Sequence, residues 1–513
     1  MAGGTQVVRN LYRDSVSLMQ LSNALCALPG IVQASVVMAT EANLALLRAA
    51  GLASGKIAAG ANDLLIALEG KGEQALAGAF RHAESALRAE PAQSGSGPAA
   101  LAPRSIRMAL AADPAASLAL ISTPGEYAAA EARKALRSGL DVMLFSDNVS
   151  LEDEIELKTF ARKNGRIVMG PDCGTAIVNG APLAFANVVR RGPVGCVAAS
   201  GTGLQQVTCL VDRLGCGISQ AIGTGGHDLH EAVGGITMLA GIAALGKDPA
   251  TKVIVLISKP PAPAVARKVL RAASRIGKPV VVNFVGAARD TIAGANLHPV
   301  ATLEEAAHAA VALANGRKPF RRPGASPRAK RPRFAATQRY VRGLYSGGTF
   351  CYEASLLLGE TLKGVWSNAP LRPEQRIADV WKSREHTLID LGDDEFTRGR
   401  PHPMIDHRLR NERIAKEAAD PQTAVILLDV VLGHGAHADP AAVMAPAIEA
   451  ARKRAANARR TIAFVGSVCG TRADPQNLAR QEAALRAAGV TLAPSNAAAV
   501  RLAAALVPGG RRS

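Results

Sequence analysis

Apolar residues along this chain recur with two periods, and the switches between alternation and helical spacing mark out the elements. Over the first ninety residues the pattern predicts strand Gln6–Tyr12, helix Asp14–Leu28, strand Val32–Ala39, helix Glu41–Ala50, strand Asp63–Glu69 and helix Glu73–Glu90. This is a small α/β domain, 1–90. Pro91–Pro103 (PAQSGSGPAALAP) then reads as a flexible linker over 91–104. In 105–190, strands Ser117–Ser122, Asp141–Phe145 and Ile167–Met169 alternate with helices and end in polar or glycine turns, which implies a parallel sheet. Ligands of such sheets sit outside the carboxyl ends of the strands.

Two further domains, 191–316 and 337–513, repeat one plan. Strand Val194–Ala198 runs through a glycine turn into a helix, and so does strand Arg342–Tyr345. Val253–Ile257, a helix and strand Pro279–Phe284 are then matched by Thr423–Asp429, a helix and strand Thr461–Val465. Both domains close with an Ala-rich helix, the mark of a diverged internal duplication. The segment 317–336 joins the copies.

Composition supports α/β architecture: 48% of the 513 residues are hydrophobic but only 3% aromatic, so Ala, Val, Leu and Ile do the packing. The formal charge of +18 raises the question of nucleic acid. Much of the excess sits in Arg317–Arg333, where eight of seventeen residues are Lys or Arg and Pro recurs, as in a solvated linker. No aromatic-basic interleaving, zinc spacing or helix-turn-helix pattern accompanies it, so nucleic acid is not an expected partner. Seven scattered cysteines point to a reducing compartment and to no metal site. The start MAGGTQVVRNLYRD does not read as a leader, and no run of about 18 apolar residues occurs. A cytoplasmic protein without membrane contact is expected.

Candidate chemistry concentrates in the turns. Ser200, Gly201, Thr202 and Gly203 combine backbone N–H groups, two hydroxyls and a helix N-terminus, a cradle for a small anion; the plain alternative is a serine N-cap. Ser346, Gly347, Gly348 and Thr349 form its copy. Gly170, Asp172, Gly174 and Thr175, with Gly225 and His227 from the loop Ile222–Asp228, would line the crevice. Lys259 ends another strand and offers a cation, or is simply an exposed loop lysine. The run Ile389–Asp406 holds carboxylates, arginines and a histidine; Arg400 suits a bidentate clamp on an anion and His402 a proton transfer. Asp393 and Asp394 would be the residues for Mg²⁺, or merely end a strand. His434 and His437 lie three apart without a third ligand, and Cys469 lacks a partner base visible in sequence.

The runs EYAAAEARKALRSGLDVMLFSDNVSLEDEIELK (126–158), MGPDCGTAI (169–177), SGTG (200–203), GGHDL (225–229), SKPPA (258–262), LYSGGT (344–349), DLGDDEFTRGRPHPMIDHRLRN (390–411) and LLDVVLGHGAHADPA (427–441) resemble the FdrA family over nearly the whole chain. More distantly, 105–316 resembles the α subunit of succinyl-CoA synthetase and 337–513 the ligase half of its β subunit. The resemblance implies a Rossmann-like CoA-binding-type domain over 105–190, two flavodoxin-like domains of succinyl-CoA synthetase type and the small N-terminal domain. It also implies a subunit of an oxamate carbamoyltransferase in allantoin and purine breakdown, which interconverts oxalurate and phosphate with oxamate and carbamoyl phosphate alongside partner subunits. No cofactor is needed for that; CoA or Mg²⁺ would serve the alternative, an acyl-CoA synthetase, and a third reading is a non-catalytic scaffold subunit. The synthetase relays phosphate through a histidine in a Gly-His-Ala-Gly loop, whereas this chain has Val285-Gly286-Ala287-Ala288-Arg289-Asp290 there and nothing like a P-loop. Under the resemblance Ser200–Gly203 would seat the phosphate portion, and Arg400 and His402 the oxamate or carbamoyl end.

Overall fold

The computed structural model describes residues 2–11, 13, 15–26, 28–49, 52–53, 55, 57–60, 62–88, 103–319, 332–397 and 401–507. Most of the 91–104 linker, the basic stretch 320–331 and Arg400 lie outside the described residues. Two compact units emerge: Met1–Ala102 with Gly392–Pro403, and Pro103–Leu391 with Met404–Ser513.

In the first unit, β1 (Ala2–Val8), α1 (Ser15–Cys26), β2 (Ile31–Met38), α2 (Glu41–Ala49), β3 (Leu64–Gly70) and α3 (Glu73–Arg88) build an antiparallel sheet ordered β1-β3-β2. β1 starts four residues before the expected Gln6, because its span is set by its partner: Ala2 faces Gly70 and Val8 faces Leu64. Alternation along β3 splits the core: Leu64, Ile66 and Leu68 pack with α1 and α3, and Leu65 and Ala67 with Leu44 and Leu47 of α2. The apolar stripe of α3 is Leu76, Ala79, Ala83 and Leu87, spaced three and four apart.

The second unit begins with α4 (Ile106–Ala112), β4 (Leu118–Ile121), α5 (Gly125–Arg137), β5 (Asp141–Leu144), α6 (Leu151–Lys163) and β6 (Val168–Met169), with a three-stranded parallel sheet. Next come β7 (Thr175–Val178), β8 (Ala181–Ala184), β9 (Arg191–Ala199), α7 (Gly201–Arg213), β10 (Ile218–Gly223), α8 (Ile236–Lys247), β11 (Val253–Ser258), α9 (Pro263–Ser274), β12 (Val280–Phe284), β13 (Leu297–Pro299) and α10 (Leu303–Ala314). Their sheet runs β13-β12-β11-β9-β10-β7-β8. The hairpin β7-β8, which periodicity did not reveal, therefore joins residues of the 105–190 segment to the next domain's sheet.

The last domain holds β14 (Tyr340–Tyr345), α11 (Gly348–Gly359), β15 (Val365–Ser367), β16 (His386–Asp390), α12 (Asp394–Thr397), α13 (Arg408–Ala419), β17 (Thr423–Val431), α14 (Pro440–Asn457), β18 (Ala463–Cys469), α15 (Leu478–Ala487), β19 (Val490–Ala493) and α16 (Asn496–Leu506). Of these, α12 falls in the first unit. The parallel sheet is ordered β15-β16-β14-β17-β18-β19. In both large sheets the first strand into a glycine turn, β9 or β14, sits mid-sheet with its later neighbours on opposite sides. That is a topological switch point, where the carboxyl ends open a crevice. Every residue of β11 and β17 is buried, as parallel strands covered on both faces require. One core cluster runs through both domains, and α7, buried from Thr202 to Asp212, packs between α10 and α11.

Candidate functional site

The chain leaves β9 at Ala199 and turns at Ser200, whose extended backbone and side chain cap α7: Ser200 Oγ accepts from Gly203 N at 3.0 Å. A Cβ on Gly203 would lie 2.3 Å from Ser200 Oγ and 3.0 Å from Ile257 Cγ2, so this glycine is demanded by helix-on-strand packing. Gly201 has no such neighbour, the nearest atom being Thr175 Oγ1 at 3.6 Å.

The copy turns at Ser346 and Gly347 into α11, and the two turns meet. Ser200 Oγ and Thr349 Oγ1 are 2.6 Å apart, and a Cβ on Gly347 would sit 2.7 Å from Thr202 Cγ2. Thr202 and Thr349 are both buried. A Cβ on Gly348 would reach Asp390 Oδ2 at 2.5 Å and Lys259 Nζ at 3.7 Å. Lys259, from the end of β11, also lies 5.9 Å above the Tyr352 ring. Two helix N-termini, two hydroxyls and one ammonium thus converge.

The turns differ underneath. Asp429 of β17 accepts from Ser346 N (2.9 Å), Ser346 Oγ (2.9 Å) and Gly347 N (3.0 Å), while Arg410 holds its Oδ1 at 3.0 Å. The donors expected of Ser346 and Gly347 are therefore engaged by an internal carboxylate. In the first domain, Ala198 pairs with Ile257; in the second, the register Leu344 with Leu428 puts Asp429 one step on, beside Tyr345. Counting back two from the caps Ser200 and Gly347, Ile257 stands where Asp429 stands in the copy. The first turn has an apolar floor.

On the β10 side, Thr224 N donates to Ala198 O, which places the loop Thr224–Asp228 beside the Ser200 turn. A Cβ on Gly225 (φ +86°) would lie 2.2 Å from Pro171 O, and one on Gly170 (φ +105°) 2.2 Å from Leu144 O, so these glycines let two turns touch. Asp172 Oδ2 would be 3.3 Å from a Cβ on Gly226. The Thr175 hydroxyl donates to Phe185 O at 2.7 Å, and Gly174 O accepts from Phe185 N. The crevice wall expected at Gly170–Thr175 is therefore present, but its polar groups mainly hold the wall together.

Below lies a buried ion cluster. Lys158 Nζ is 2.8 Å from Glu154 Oε1 and from Asp228 Oδ1, and donates to Thr224 O at 2.9 Å. Asp228 also accepts from Thr237 N and Met238 N at the start of α8. His227, 56% exposed, turns Nδ1 toward Glu154 Oε2 at 3.5 Å. Burial pushes the Glu154 carboxyl up, but His227 and the Lys158 ammonium outweigh it and bring it below its ordinary value. Sequence reading missed Glu154 and Lys158. At i and i+4 on a charged helix they read as a solvated pair, and only the packing of α6 on α8 buries them.

Other expected groups lie elsewhere. His402 falls in the first unit, with Gly392–Pro403. Cys469 is buried 3.9 Å from Cys209 Sγ, and burial pushes Cys173 and Cys196 up to about 12. His437 Nδ1 accepts from Asp439 N.

Comparison with known proteins matches residues 1–103 to the model "AllF, heavy metal-associated domain", 189–286 to "CoA binding domain" and 344–506 to "CoA-ligase". The CoA-binding match thus begins where the 105–190 domain ends. The chain is 44% identical over 494 residues to YahF of Escherichia coli, covering 95% of each. It is 29% identical over 150 residues to a succinate–CoA ligase [ADP-forming] subunit alpha of Aquifex aeolicus, 28% of this chain and 48% of that one. An acetyl-coenzyme A synthetase structure from Ca. Korarchaeum cryptofilum aligns over 76% of this chain and 82% of its own at 17% identity and a TM-score of 0.32. A metal does not fit the N-terminal domain: residues 1–103 hold one cysteine, Cys26, and one histidine, His82. Cys26 Sγ points to Ala34 O, the β1–α1 turn is tied down by Arg9 on Asp63, and no metal-holding group exists among the described residues.

Proposed function

This chain belongs to the family of Escherichia coli YahF, and from that premise we propose that it is an enzyme of the CoA-ligase type that exchanges phosphate for CoA on the activated carbonyl of a small acid. The observation that carries this reading is the contact between Ser200 and Thr349. One residue lies in the CoA-binding match and the other in the CoA-ligase match, and their hydroxyls meet at a switch point. The donor set there suits a phosphate: N–H groups at the start of α7, two hydroxyls and the Lys259 ammonium. Bound CoA would supply the thiol of the thioester.

In this reading the first turn of α7 orients phosphate so that one oxygen attacks the acyl carbon, and Lys259 offsets the charge that gathers there. With Val285–Asp290 lacking a histidine, acyl phosphate is released without passing through a phosphorylated residue at that loop. The test is incubation with short acyl-CoA esters and phosphate, reading free thiol and acyl phosphate together. Ser200→Ala should lower turnover at least tenfold; failure of both CoA and phosphate to bind at millimolar levels would sink the reading.

The match of residues 1–103 to the AllF model, with the missing relay histidine, favours a second reading. Here phosphate takes the carbamoyl group of oxalurate, leaving oxamate, in a hetero-oligomer with partner subunits; Arg400 and His402 would serve the carboxylate end. The same phosphate seat is used. Carbamoyl phosphate formed from oxalurate without CoA would decide for it.

A further inference from the structure

We propose that His227 is the proton donor of the phosphate seat, aimed by the buried carboxylate of Glu154 and charged to balance the ion cluster beneath it. The inference deepens the proposed phosphate site and rests on it. Lys158 faces two carboxylates, Glu154 and Asp228, all three buried, so the cluster carries one uncompensated negative charge. A buried charge without a partner is costly, and the group placed to neutralise this one is the His227 imidazolium. Nδ1 faces Glu154, whose side chain is 1% exposed, while the His227 side chain as a whole stays 56% exposed. The loop carrying it starts beside the Ser200 turn, through Thr224 N on Ala198 O.

On balance the surroundings favour the charged form of His227. The hydrogen bond with Glu154 holds His227 above the ordinary imidazole value, Asp172 adds to this, and burial and Lys158 oppose it. His230, with its ring 4.9 Å away, is pushed down by burial and by the His227 charge, with Glu154 opposing.

The chemistry of the site needs such a group. When phosphate oxygen bonds to the carbonyl carbon and the acyl–sulfur or acyl–nitrogen bond breaks, its electron pair stays on the leaving atom, which must gain a proton. Nε2 of His227 gives that proton and becomes neutral, then regains one from water on its exposed side; the reverse reaction runs the transfer backwards. A nitrogen leaving group depends on this donor far more than a thiolate does.

The experiment is NMR of histidine-labelled and amide-labelled full-length protein, titrated with pH and with inorganic phosphate, for the wild type, Glu154→Gln and His227→Gln. His227 should titrate above the ordinary imidazole value, and Glu154→Gln should lower its midpoint. Phosphate should move the Ser200 amide and the His227 ring together, and its affinity should fall as pH rises through the His227 midpoint, a dependence that His227→Gln flattens. Ser200 responding while the His227 ring stays still would overturn the donor and leave the phosphate seat standing. No response at Ser200 would overturn the seat, and the donor with it. Unaltered titration of His227 in Glu154→Gln would show that the carboxylate does not position it.

Discussion

The turn at Ser200 and the turn at Ser346 follow one plan, yet the second has its anion built in. Asp429, backed by Arg410, occupies the backbone donors of Ser346 and Gly347, whereas Ile257 at the equivalent strand position offers Ser200 and Gly201 nothing. A duplicated glycine turn is thus no duplicated site: the residue on the neighbouring strand decides whether its donors are spent on the fold or left for a ligand. The helices differ in the same way. Six residues after each cap, α7 buries the neutral Gln206 and α11 buries the acid Glu353.

The sharpest way to break this comparison is to unplug the second turn. Asp429→Asn leaves Arg410 buried against an uncharged partner and should cost about 3–5 kcal/mol in thermal unfolding. Adding Arg410→Met should recover much of that, and an unchanged melting temperature in the single variant would deny the plug. Next comes pH. Burial, opposed by Leu303 N and Asn496, raises Glu353 from 4.5 to about 6, so the folded state holds a proton the unfolded chain has lost. Stability is full below about 4.5 and should fall by about 2 kcal/mol as pH rises through 6. Glu353→Gln, which copies the choice made by α7, should flatten that window in denaturant titrations.

Gly203→Ala should cost about 1–3 kcal/mol through its clash with Ser200 Oγ and Ile257, while Gly201→Ala should stay within about 1 kcal/mol. Urea unfolding of both separates packing from ligand binding as the reason for each glycine. Smallest in stability are the two turn serines, Ser200 capping α7 and Ser346 bonded to Asp429. Ser200→Ala and Ser346→Ala should each cost about 1 kcal/mol, but calorimetry should find phosphate affinity lowered about tenfold in the first and unchanged in the second. Equal losses would mean that both turns bind.

Much of this was legible in the residues. The switch from alternation to helical spacing marked the central strands and their helices, and the repeated strand, glycine turn and helix reappear as β9 into α7 and β14 into α11, each mid-sheet. Failures came where pairing outweighed local pattern. Gly3 and Gly4 belong to β1 because Glu69 and Leu68 of β3 pair with them, and Thr175–Ala184 is a hairpin of four-residue strands too short for periodicity to show.

The sequence by itself determined where the chain could turn, because caps, glycines and apolar spacing act within four residues. Only the tertiary structure decided which turn is open, for the deciding atoms come from far along the chain. Asp429 reaches Ser346 across 83 residues, and Lys158 is buried with Asp228 across 70. Hydrogen bonds and desolvation depend on what lies next to a group in space, and a strand neighbour or helix partner is fixed only when the sheets assemble.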